Sequence, residues 1–156
     1  MNPKHAGFTL IEMMVVVALI GLLAMLASPF TTAWVEHARL NTAEGIWREA
    51  YGRAKAAALR NPHGIGRDRA ASFVCLGKGQ LTVRSARDAD TPASCTSPVL
   101  WQASLPEKLT TRPKAGSAPV VCMSFNNRGS SSTEATCAGN ELELVYGRSS
   151  LSISLH

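Results

Sequence analysis

The sequence predicts an α+β fold: one long N-terminal α-helix, with a transmembrane half and an amphipathic half, packed on an antiparallel β-sheet or small sandwich. Three observations predict it. Residues Phe8 to Phe30 form an apolar run. From Thr31 to Arg60 apolar residues recur at three- and four-residue steps without a proline. After Pro62 the texture changes to short alternating runs broken by glycine, proline, serine and asparagine. With 156 residues in all, about 130 remain outside the apolar run, enough for one modest core.

The apolar run holds 23 residues. As a helix it would span about 34 Å, against a hydrocarbon core of about 30 Å. Lys4 and His5 precede it, which places the short N-terminal side in the cytoplasm and the remainder across the membrane. A cleavable signal peptide, with Ala24 to Ser28 as a loose cleavage region, and an uncleaved signal anchor are the competing readings. Glu12 is the run's one ionisable residue. A carboxylate in such a stretch is costly, and a cationic partner offsets that cost. The nearest candidate is the amine that cutting the chain after Gly7 would create.

In the second half, Leu40, Ala43, Trp47, Ala50, Ala54 and Ala57 form the stripe expected to face a core. Glu44–Arg48 and Glu49–Arg53 are i,i+4 pairs in the favourable order and suit the opposite, exposed face. Asn61-Pro62-His63-Gly64 is a stop signal. The expectation is one helix over 8–60, bent near Pro29. Beyond it, strands are expected at Ala71–Leu76, Gln80–Arg84, Pro98–Leu105, Pro119–Phe125, Glu141–Tyr146 and Ser150–Leu155. Hairpins fall at Gly77-Lys78-Gly79 and Gly147-Arg148-Ser149. Residues 85–97, 111–118 and 126–140 read as loops.

Cys75, Cys95, Cys122 and Cys137 all follow the apolar run, with no CxxC spacing. Two disulfides in an oxidising compartment are expected, against reduced buried thiols as the other reading. Of the three possible pairings, Cys75–Cys95 and Cys122–Cys137 are favoured because each closes a local loop. The net charge of +5 comes from scattered basic residues, which permits weak attraction to polyanions without establishing it. No GxSxG, HExxH, P-loop or dinucleotide fingerprint occurs, and the four histidines are dispersed. The expectation is a protein that is not an enzyme, with no catalytic residues, no metal site and no cofactor.

Lys4-His5-Ala6-Gly7-Phe8-Thr9-Leu10-Ile11-Glu12 resembles the processing signature of type IV prepilins and type II secretion pseudopilins. The resemblance implies that a prepilin peptidase cuts after Gly7 and that Phe8 becomes the methylated N-terminus. Pro29 stands where many of these proteins carry a helix-kinking proline. The implied organisation is a cleaved leader (1–7), a transmembrane and filament-core helix (8–30), an amphipathic helix continuing it (31–61) and a β-rich head (62–156). The implied partners are the peptidase, other major and minor pilins or pseudopilins, the inner-membrane assembly platform and the lipid bilayer. The implied location is the inner membrane, single-pass, with the head in the periplasm and later in the pilus or pseudopilus. In a staggered helix bundle, the new amine of one subunit could meet Glu12 of the next and so set the axial register.

Two shorter segments, Ser124-Phe125-Asn126-Asn127-Arg128-Gly129-Ser130-Ser131 and Tyr146-Gly147-Arg148, are similar to the GspH/FimT branch of minor pilins and pseudopilins. This favours a minor pilin at or near a pilus tip, priming or supporting assembly, with roles in twitching, adhesion or DNA uptake. The alternatives are an H-type minor pseudopilin of a type II secretion system and a pilus-displayed DNA receptor. Some FimT-like proteins bind DNA through Gly-Arg-x-Arg, but here the segment reads Gly147-Arg148-Ser149-Ser150. Arg148 is therefore either a turn residue or part of a DNA-contacting patch with Arg128 or Arg112.

Overall fold

A computed structural model describes residues 7–114, 122–131, 137 and 140–156, and of residues 26–31 the backbone only. Leader residues 1–6, the start of the strand expected at Pro119, and parts of the loops expected at 111–118 and 126–140 lie outside the described residues.

The chain divides into two units, Met1–Val35 and Glu36–His156. In the first, helix α1 (Leu10–Arg60) begins. It starts two residues later than the apolar pattern suggests because Thr9 caps it: the Thr9 hydroxyl accepts the Glu12 backbone N–H at 3.3 Å. The backbone is helical through Pro29. The apolar side chains from Phe8 to Met25 are exposed, with Leu10 at 78% and Met25 at 82%. Among the described residues no helix is long and apolar enough to cross a membrane. The described apolar side chains stop at Met25, short of the roughly 20 residues a spanning helix needs. The transmembrane expectation for Phe8–Phe30 thus reaches into side chains outside the described ones.

The second unit is the head, and the rest of α1 is its central element. One helical stripe (Leu40, Ala43, Trp47, Ala50, Tyr51, Ala54 and Ala58) is buried. Ala57, expected in that stripe, is half-buried and Ala58 takes its place, as a 3.6-residue period requires after Ala54. Glu44–Arg48 and Glu49–Arg53 form ion pairs at 2.8 Å on the outer face. The helix stops at Asn61, whose backbone turns left-handed (φ 39). The Asn61 side chain then holds Ile65 from both sides, accepting its N–H at 2.8 Å and donating to its carbonyl at 3.0 Å.

Among the described residues seven strands follow: β1 (Ala70–Gly77), β2 (Gln80–Ser85), β3 (Val99–Ser104), β4 (Thr110–Pro113), β5 (Cys122–Asn126), β6 (Glu141–Tyr146) and β7 (Ser149–Ser154). They make two antiparallel sheets, ordered β3-β2-β1-β5 and β4-β6-β7. The short β4 corrects the expectation of a loop from 111. Its sequence, Thr-Thr-Arg-Pro, has no apolar alternation to betray it, and pairing with β6 is what makes it a strand. Both sheets and the helical stripe contribute to one core, in which Trp47 and Phe125 are the largest fully buried side chains. Tyr51 meets Phe125 edge-on at 5.0 Å. Buried Ser72 on β1 donates its hydroxyl to the Ala54 carbonyl at 2.7 Å, tying sheet to helix.

Two disulfides close this unit, Cys75–Cys95 and Cys122–Cys137. They join residues 20 and 15 positions apart, the local pairing that loop closure favours. Each loop of this size is worth about 3 kcal/mol by restricting the unfolded chain.

Candidate functional site

Gly7, Phe8 and Thr9 precede the helix in non-helical backbone, and Phe8 is 79% exposed. A Cβ added at Gly7 would meet nothing within 4 Å. Among the described residues nothing crowds a side chain at that position. Thr9 ends the helix short of the Gly7–Phe8 bond, and its carbonyl accepts the Met13 N–H at 3.2 Å. Glu12 lies in the first helical turn with an exposed side chain, where the helix dipole favours a carboxylate. Thr9 was open to discovery from the spacing Thr9-x-x-Glu12, the capping-box pattern.

Comparison with protein-family models bears on this segment. Residues 2–28 match the model of the prokaryotic N-terminal methylation motif. The chain carries a type IV prepilin-like signature. No curated protein and no solved structure gives a match. The prepilin-like motif implies processing by a prepilin peptidase, membrane anchoring and assembly with other pilins. Gly7, Phe8 and Glu12 all fall inside the matched segment, and so does the start of the exposed apolar helix. Pro29 lies one residue beyond the match. Among the described residues no group of His, Cys, Asp or Glu could hold a metal ion.

Of Arg112, Arg128 and Arg148, the first is paired and the other two are held apart. Arg112 on β4 is paired with Glu143 on β6 at 2.8 Å. Arg128 is exposed in the turn after β5, where a Cβ on neighbouring Gly129 would lie 3.1 Å from both Lys55 and Leu59. Arg148 is exposed in the β6–β7 turn, and its backbone N–H donates to Glu36 at 3.3 Å. Glu36 and Lys55 are separated along α1 by about 28 Å, at 1.5 Å per residue. Arg128 and Arg148 are therefore held near opposite ends of the head's helix.

The Glu36 carboxylate has a second bond, from the Ser149 hydroxyl at 2.8 Å. It thus clasps the hairpin to α1 from 112 and 113 positions away, a contact with no local signal in the sequence. Gly147 makes it possible: its φ is +60, and a Cβ there would collide with Glu36. Gly147→Ala is expected to cost about 1–2 kcal/mol for the left-handed backbone alone, with further loss from expelling Glu36. In an Glu36→Ala background the same substitution should cost only the backbone share. Thermal or urea melts of the four variants measure both.

Arg112 and Glu143 face one another across the β4–β6 ladder. The hydrogen bond from the Arg112 guanidinium holds the Glu143 carboxyl below its ordinary value of 4.5, outweighing a desolvation effect in the opposite direction. Because the folded value is the lower one, the pair's stabilisation is complete above the unfolded carboxyl value. It is lost as pH falls through the folded value. Arg112→Ala should therefore destabilise the protein at neutral pH, and its difference from the unmodified chain should vanish in strong acid. Melts across that range read the convergence.

Proposed function

We propose that this chain is a minor pilin of a type IV pilus, cut after Gly7, methylated on Phe8 and assembled at or near the pilus tip to prime or support assembly. Before assembly, Phe8 to Phe30 holds it in the inner membrane as a single span, with residues 36–156 on the periplasmic side. The observation that carries this reading is the prepilin-like match over residues 2–28, joined to a Gly7–Phe8 bond free of helix. The exposed apolar surface from Leu10 to Met25 supports it as well, since such a surface requires a lipid or protein cover. The two disulfides suit an oxidising periplasm.

Glu12 is the register device. In a bundle of such helices its carboxylate takes the methylated amine of a neighbouring subunit, and any other stagger leaves an unpaired charge in an apolar core. Pro29 supplies the bend where the helix leaves the apolar segment. Arg148 is the second residue of the hairpin turn clasped by Glu36, and its exposed guanidinium adds one phosphate contact at most. Co-expression with a prepilin peptidase tests the reading. The chain should lose its leader, and Gly7→Leu should retain it while still inserting. A chain whose leader survives the peptidase in both forms would overturn the proposal.

A further inference from the structure

The outer strand of the four-stranded sheet, β3, is short and shifts register against β2 between Val83 and Arg84, but its outer edge carries little other protection. β3 reads Val-Leu-Trp-Gln-Ala-Ser, without charge or proline, and exposes Val99 and Leu100 at 45% and 57%. Only β2 pairs with it, and among the described residues no strand covers its other edge. Edge strands invite pairing with foreign chains, and proteins ordinarily protect them with lysine, proline or a buried charge. β3 has none of these.

Beside this edge runs a groove between β3 and the last turns of α1. Two adjoining recesses of about 380 and 300 Å³ share Ala57, Arg60 and Leu100, and no acidic residue lines either. Arg53 and Trp101 belong to one recess and Arg87 to the other. Arg53 is already committed, bonded to Glu49 at 2.8 Å and set 5.5 Å over the Trp101 ring. Arg60 and Arg87 are exposed and form no salt bridge among the described residues, although Arg87 feels the charge of adjacent Asp88. Asp88, next in the chain to Arg87, is taken up by the Thr91 N–H at 2.7 Å.

An apolar recess with two exposed guanidiniums at its rim, beside an open sheet edge, has the chemistry of peptide capture. Duplex DNA would want a row of cations along the surface. An extended peptide instead uses main-chain bonds to the edge, a pocket for alternate side chains, and charges that complement the rim. We propose that β3 and this groove receive an extended acidic segment of another protein. The segment adds to the sheet as a fifth strand, seats an apolar side chain against Leu100 and Trp101, and places carboxylates on Arg60 and Arg87. This holds whether or not the leader is cleaved.

The test uses the full chain in detergent micelles and a short fluorescent peptide alternating glutamate and valine, followed by anisotropy. The acidic peptide should bind, and Arg60→Glu with Arg87→Glu should weaken it by about tenfold or more, the worth of one charge-assisted hydrogen bond. Methylating alternate backbone amides of the peptide should abolish binding, while Arg148→Ala should leave it unchanged. Circular dichroism melts confirm that the doubly substituted head stays folded; should it not, Arg60→Gln alone, which should still weaken binding, gives the reading. Three results would overturn the proposal: no binding, equal binding of a lysine–valine peptide, or tighter binding of a single-stranded or duplex oligonucleotide.

Discussion

Glu12→Ala is expected to leave membrane insertion and leader removal intact while incorporation into filaments falls by about two to three powers of ten. The size follows from the pairing. A subunit whose new amine meets alanine instead of Glu12 buries one uncompensated cation, at about 3–5 kcal/mol, and each 1.4 kcal/mol is about tenfold. The helix itself should survive, because the cap at its start joins the Thr9 hydroxyl to the Glu12 backbone N–H and not to its side chain. Glu12→Asp keeps the charge on a shorter stem and should recover part of the incorporation. The measurement is the fraction of chain in sheared filaments against membranes. Incorporation of Glu12→Ala at the unmodified level would show that the carboxylate is not the register device.

Trp47→Ala is expected to remove about 3–5 kcal/mol from the head. Trp47 is 1% exposed at the centre of the helical stripe, so its loss leaves a cavity that two disulfide-closed sheets cannot collapse to fill. Against a stability of roughly 6–18 kcal/mol for a head of this size, that loss is large. Its indole Nε1 is buried with no hydrogen-bond partner among the described residues. Trp47→Phe therefore deletes an unsatisfied donor along with some volume and should cost clearly less. Urea titrations of the two variants separate the effects. Equal losses would mean that the indole N–H has an acceptor after all.

The parts of this fold that repeat at a fixed period were legible in the sequence. The stripe through Leu40, Ala43 and Trp47 announced the buried face of α1. The alternation of Leu142 and Leu144 announced β6, whose ends fall where the pattern puts them. The hairpin at Lys78-Gly79 was legible for a different reason: both residues have positive φ, which that tight turn demands. What was not legible depends on partners far away in the chain. β4 is a strand because β6 is beside it, and Glu36 matters because a hairpin more than a hundred positions later folds back onto it. The prepilin-like motif was readable because it is local, a run of neighbouring residues within 2–28. Thr9 was legible too, in the spacing Thr9-x-x-Glu12, and its hydroxyl caps the helix.

The most direct test is mass spectrometry of the mature chain recovered from its native membranes. The account predicts an N-terminus at Phe8 carrying one methyl group, with Cys75–Cys95 and Cys122–Cys137 oxidised in the same molecule. A chain that still begins at Met1 in cells with an active prepilin peptidase would contradict it.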